Sequence, residues 1–171
     1  MMMLVQTEVS EEDDLILSAT NGDRGAFGEL YVRYARMVHG ILLSRVPRTE
    51  VDDLLQDFFL LAMRRLPSLR EAGAFGSWLA MIARNRATDF HRSSQVLMEL
   101  REDALTQPAL RPEALAILET IQRLPEAYRE TLVLRLVEGM TGPEIAERTG
   151  LTPQSVRVNL HRGMKQLREN L

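Results

Sequence analysis

Residues 141–163 read TGPEIAERTGLTPQSVRVNLHRG, and each junction in that stretch carries its own chemical signal. Thr141 followed three residues on by Glu144 is a capping box, in which the hydroxyl accepts one orphan backbone N–H and the carboxylate accepts another. Pro143 sits in the first turn, where a missing N–H costs nothing. Gly150 ends this helix, because the position after a helix favours a left-handed backbone that glycine adopts without strain. Leu151 crosses the turn, Thr152 caps a second helix and Pro153 starts it, so the spacing predicts a helix-turn-helix. On the second helix Val156, Leu160, Met164 and Leu167 recur at steps of four, four and three and form one apolar stripe. Gln154, Val158, His161, Arg162 and Lys165 fall opposite, flanked by Ser155, Arg157 and Asn159. Side chains of these types reach base edges and phosphates.

A solvated, charged face is ordinary on any amphipathic helix, and that is the plainer reading of this one. Charge distribution weighs against it. From Leu151 to Leu171 four cations (Arg157, Arg162, Lys165, Arg168) face one anion, Glu169, in a chain whose formal net charge is −3. The positive charge is concentrated where phosphate contact would need it. The acidic balance of the whole argues against non-specific coating of nucleic acid, so DNA binding here is expected to be local or assisted.

With 171 residues the chain holds one ordinary domain or two small ones, and two helical domains of about 80 residues each would bury marginal cores. The absence of cysteine excludes disulfides and thiolate metal sites and fits a reducing compartment. The N-terminal MMMLVQTEVSEEDD turns acidic before an apolar run develops, and no stretch of about 18 apolar residues follows. The expectation is a soluble, cytoplasmic protein with no membrane segment.

Taken in order, Ser10 and Asp13 predict a capped helix that stops at Asn21-Gly22, and the acids Glu11 to Asp14 complement its dipole. Phe27, Leu30, Tyr31, Tyr34, Val38, Ile41 and Leu42 trace a core stripe ending before Pro47. Thr49 is expected to open a third helix, with Leu54, Leu55, Phe58, Leu61 and Ala62 inward and Asp53, Gln56, Asp57 and Leu60 outward. Residues 67–76 read as a loop, and Ser77 as the cap of a fourth helix carrying Arg84, Asn85, Arg86, Asp89 and Arg92. Periodicity fades over 93–111, which reads as a flexible linker. Pro112 and Pro125 start two more helices, the second expected to turn Tyr128, Leu132 and Leu136 inward. The reading is all-α: a tail (1–10), a four-helix domain (11–92), a linker (93–111) and a second four-helix domain with the helix-turn-helix (112–171). His39, His91 and His161 are far apart, with no second ligand at helical spacing. Neither a metal, a cofactor nor catalysis is expected.

The strings themselves resemble an ECF-type bacterial sigma factor. They are GDRGAFGELYVRY (22–34), DDLLQDFFLLAMRRL (52–66), FGSWLAMIARNRATDFHR (75–92) and the run from Leu124 to Asn170, in the family's order and spacing. The resemblance implies core RNA polymerase and promoter DNA as partners, and an anti-sigma factor. It implies that Asp53, Gln56 and Asp57 dock on a coiled coil of the largest polymerase subunit. It implies that Arg84, Asn85, Arg86, Asp89 and Arg92 serve the minus-ten element, with Asn85 where the family often reads a base. The minus-thirty-five reader is then the helix-turn-helix, through Gln154, Ser155, Arg157, Val158, His161, Arg162 and Lys165. Departures stand at Val158 and Asn159, where many relatives carry a small polar residue and an arginine, and at Gly163, which replaces a common alanine at a cost in helix propensity of about 1 kcal/mol. A helix-turn-helix regulator that binds DNA without polymerase is the alternative, and the Asp-x-x-Gln and Trp-Leu-x-x-Ile-Ala-Arg-Asn strings disfavour it.

Overall fold

In the computed structural model, which describes residues 10–97 and 111–171, eight α-helices follow one another and no strand occurs among the described residues. The first group is α1 (Glu11–Thr20), α2 (Arg24–Leu43), α3 (Arg48–Arg65) and α4 (Phe75–Leu97). The second is α5 (Pro112–Arg123), α6 (Glu126–Leu136), α7 (Gly142–Thr149) and α8 (Pro153–Asn170). The all-α reading of two helical groups holds. Caps explain several of the boundaries: the Ser10 hydroxyl accepts from the Asp13 N–H at 3.1 Å, and an Asp23 carboxylate oxygen accepts from the Ala26 N–H at 3.2 Å.

Four local expectations need correction. Helix α3 begins at Arg48, not Thr49, because the extended backbone of Pro47 already sets its start. Residues 67–76 are not one loop, for two 3-10 turns, Leu66–Ser68 and Ala72–Ala74, tighten the chain into α4. Ser77 is therefore no cap: it lies inside α4, where its hydroxyl donates back to the Ala74 carbonyl at 3.1 Å. Helix α4 also continues past Arg92 to Leu97, into the stretch read as linker, whose residues 98–110 lie outside the described residues.

The two groups of helices do not stand apart. One continuous core runs from Ile16, Leu30, Val38 and Ile41 through Phe58, Leu79 and Ile82 to Ile121, Leu132, Leu134, Ile145 and Val156. Its centre is α6, in which Glu130, Thr131, Leu132, Val133 and Leu134 are all buried in succession. A helix buried on every side has neighbours on every side, and α6 packs on α2 of the first group as well as on α5, α7 and α8. The expected inward face of α6 is thus partly wrong: Leu132 is buried, Tyr128 is half-buried, and Leu136 is 45% exposed.

Candidate nucleic-acid interface

The helix-turn-helix forms as its residues dictate. The Thr141 N–H donates to a Glu144 carboxylate oxygen at 2.8 Å while the Glu144 N–H donates to the Thr141 hydroxyl at 3.2 Å, so the capping box is complete. That pairing holds the Glu144 carboxyl below the usual carboxylate range. Gly150 takes the left-handed conformation, φ 77°, and its N–H reaches the Ala146 carbonyl at 3.1 Å. The Thr152 hydroxyl accepts the Ser155 N–H at 3.1 Å and donates to the Ser155 hydroxyl at 2.8 Å, which starts α8.

Helix α8 shows the two faces anticipated. Val156 and Leu167 are buried, Leu160 and Met164 half-buried, and Gln154, Ser155, Arg157, His161, Arg162 and Lys165 all exposed. Val158 is half-buried at the edge of that surface. Ser155 has its oxygen occupied by Thr152, which leaves its O–H free to donate outward. Gly163 is the surprise of this helix, because it is buried and a Cβ there would meet Leu132 at 3.1 Å and Tyr128 at 3.2 Å. What reads in sequence as a simple loss of helix propensity is where α8 lies close against α6.

Along α3, Asp53, Gln56 and Asp57 are exposed one turn apart, and among the described residues no hydrogen bond or ion pair engages them. Leu60, 54% exposed, continues the same row. Their outward placement leaves acid and amide groups available to a basic partner helix.

The α4 residues divide. Asn85, Asp89 and Arg92 are exposed, and their spacing of four and three puts them on one stripe together with Met81, 50% exposed. Arg84 and Arg86 are half-buried instead. Arg84 is held by Glu130 of α6, with Nε at 2.9 Å from one carboxylate oxygen and a terminal nitrogen at 2.6 Å from the other. Arg45, at the end of α2, adds a third bond to the same carboxylate at 2.9 Å and pairs with Glu126 as well. Burial pushes the Glu130 carboxyl up, but the two guanidinia outweigh it and hold it below the ordinary range. Glu130 in turn raises Arg84. In this arrangement Arg84 faces protein, and it does not share the outward stripe of Asn85.

Sequence reasoning missed the other polar contacts between the two groups. His39 of α2 pairs with Glu138, which raises the imidazole above its ordinary value. The Gln122 amide donates to the Leu43 carbonyl at 3.0 Å, and Arg36 to the Glu138 carbonyl at 3.3 Å. Arg148 of α7 donates to the Arg33 carbonyl and lies over the Tyr34 ring, 5.4 Å from its centroid. Partners this far apart in the chain leave no periodic trace. The one readable signal is Glu130 itself, a charge with apolar Ala127 three residues before it and Val133 and Leu134 three and four residues after it on the same helix.

A model described as Sigma-70 region 2 matches residues 30–96, and one described as Sigma-70, region 4 matches residues 114–167. The chain is 33% identical to the RNA polymerase sigma factor CarQ of Myxococcus xanthus, over 88% of this chain and 92% of that one. It is 34% identical to the ECF RNA polymerase sigma-E factor of Salmonella typhimurium, over 77% and 79% of the two chains. Among solved structures it is similar to CnrH in complex with the cytosolic domain of CnrY, with a TM-score of 0.65 at 28% identity over 92% of this chain and 95% of that one. By its match to both sigma regions and to relatives of this identity and coverage, the chain belongs to the ECF family of bacterial RNA polymerase sigma factors.

Proposed function

We propose that this chain binds core RNA polymerase in the cytoplasm and directs it to promoters, with α8 reading the minus-thirty-five element and α4 the minus-ten element. The observation that carries the reading is the separation of three exposed, chemically distinct surfaces on one chain. The acidic row Asp53, Gln56 and Asp57 suits a basic coiled coil. The stripe Asn85, Asp89 and Arg92 suits unstacked bases, which lose stacking on being flipped and recover it through hydrogen bonds in a pocket. On α8, Arg157, Arg162 and Lys165 supply phosphate contacts, while Gln154, Ser155, Val158 and His161 meet base edges in the major groove. Arg84 joins the minus-ten set once Glu130 of the other helix group releases it, and Arg86 belongs to the same set from its half-buried position on α4. The role is one of binding and positioning, not catalysis.

An anti-sigma factor is the regulator that membership of the family suggests, and the similar CnrH chain was solved with a protein partner, the cytosolic domain of CnrY. Co-purification tests polymerase docking. The double substitution Asp53→Lys and Asp57→Lys should abolish retention of the chain on core polymerase while leaving its helical content unchanged. Undiminished retention of the folded double variant would end the assignment of that surface.

A further inference from the structure

Helix α8 carries one side chain that neither packing nor helix propensity explains. Val156, Leu160, Met164 and Leu167 lie in the core or pack against it, and Val158 does not. Steps of four, three and four put Val158 in one outward row with Gln154, His161 and Lys165, all of which are exposed. A β-branched residue is also a poor choice for an outward helical position, because the preceding turn restricts its χ1. A single apolar residue on a surface is ordinary, and it is the position of this one, inside a row of polar groups on a recognition helix, that is informative.

Gln154 stands one turn before Val158, in the first turn of α8, the part of a recognition helix that reaches base edges. That turn is fixed in place, since the Thr152 hydroxyl accepts the Ser155 N–H at 3.1 Å and Pro153 occupies the first helical position. The Gln154 side chain is exposed, and among the described residues no hydrogen bond engages its amide. An amide offers a donor and an acceptor side by side, and in the major groove adenine presents the matching pair, the N7 acceptor beside the N6 amino donor. Guanine shows two acceptors there and would leave the amide oxygen facing a lone pair. Val158 brings no polar group, so it fits the C5-methyl of thymine. Cytosine lacks that methyl and would set its N4 amino group against a surface with nothing to accept it. The helix rise limits how far apart the two contacts fall: four residues at ~1.5 Å each span about 6 Å, and base pairs repeat every ~3.4 Å, so the two bases lie within about two base pairs of each other.

We infer that α8 reads an upstream element containing A·T pairs, in which the Gln154 amide bonds N6 and N7 of an adenine and Val158 packs on the methyl of a thymine within about two base pairs of it. The inference rests on the promoter reading proposed for α8. Arg157, Arg162 and Lys165, exposed around the same row, hold the helix on the phosphates and do not distinguish bases.

The thymine methyl can be removed from DNA without touching anything else, and that makes the test direct. Duplexes randomised over the upstream element are selected for retention by the full chain, once in complex with core polymerase and once alone at low salt. Both pools should be enriched in an adenine with a thymine within about two base pairs of it. In the selected duplex, replacing that thymine with deoxyuracil should weaken retention by wild type about fourfold, the worth of one buried methyl group, and should leave retention by Val158→Ala unchanged. Wild type should prefer the adenine over guanine about tenfold, and Gln154→Ala should lose that preference. Helical circular dichroism equal to wild type keeps folding out of the comparison. Enrichment of G·C pairs at both positions, no enrichment in either pool, or equal retention of thymine and deoxyuracil duplexes by wild type overturns the inference. A deoxyuracil penalty that persists in Val158→Ala overturns it too, because the methyl is then read by another group. If the adenine and thymine-methyl signature appears in the chain-alone pool while core polymerase neither holds the chain nor gives a chain-dependent transcript, the base reading stands and the proposed role with polymerase falls.

Discussion

Glu130 shows how much a single side chain can decide. Its carboxylate is buried against Arg45 and Arg84, and removing one member of a buried ion pair costs about 3–5 kcal/mol because the remaining charges lose their partner. Glu130→Gln keeps the shape and removes the charge, so urea unfolding should show a loss of about 3 kcal/mol, and a change below about 0.5 kcal/mol would contradict the clamp. The sign of its pH dependence follows from the lowered carboxyl: the stabilisation is present above the ordinary carboxylate range and is lost as pH falls through the depressed value. His39 behaves oppositely. Glu138, and more weakly Asp52, raise its pKa, so its contribution is complete below about pH 6.5 and fades as pH rises through the raised value. Wild-type stability should therefore decline on the alkaline side of about pH 6.5 more steeply than that of His39→Gln, and equal slopes would remove the assigned role of this pair.

At the scale of the element, the promoter reading proposed for α8 divides between phosphate contacts and base contacts. Replacing Lys165 or Arg162 with Ala should weaken all promoters alike and lower the salt-dependence slope of holoenzyme binding by about one unit, whereas Gln154→Ala should alter preference at one base position. Identical effects from both kinds of substitution would show that the face makes no direct readout. Legibility in the sequence followed how local each cause was. The ends of α7 and the start of α8 were readable because Thr141, Glu144, Gly150 and Thr152 act within three or four residues of themselves. Helix α6 was not, since a helix surrounded by α2, α5, α7 and α8 needs no amphipathic period, and the inward stripe drawn through Leu136 had nothing to register it. Ser77 was misread because cap residues also serve inside helices, bonding back to a carbonyl. The outward rows of α3 and α8 could be drawn from helical spacing, but the inward turn of Arg84 could not, because its partner lies 46 residues away.

For the whole molecule, the proposed function is that of a bridge between polymerase and two stretches of DNA, acting through surfaces that no single helix group carries. Three or four phosphate contacts from α8 amount to an affinity of ~10⁻⁴ M at physiological salt, too weak to hold a promoter without tethering. Under the proposed function, tethering by polymerase raises the local concentration of α8 at the minus-thirty-five element and of α4 at the minus-ten element. A regulator that acts without polymerase would need no such help. Run-off transcription by purified core polymerase on a promoter library, with and without the full chain, separates the two most directly. Discrete transcripts should appear only when the chain is present and should share two sequence elements, the upstream one changing with Gln154→Ala. Tight promoter binding by the chain alone, with no chain-dependent transcript from core polymerase, would contradict the account.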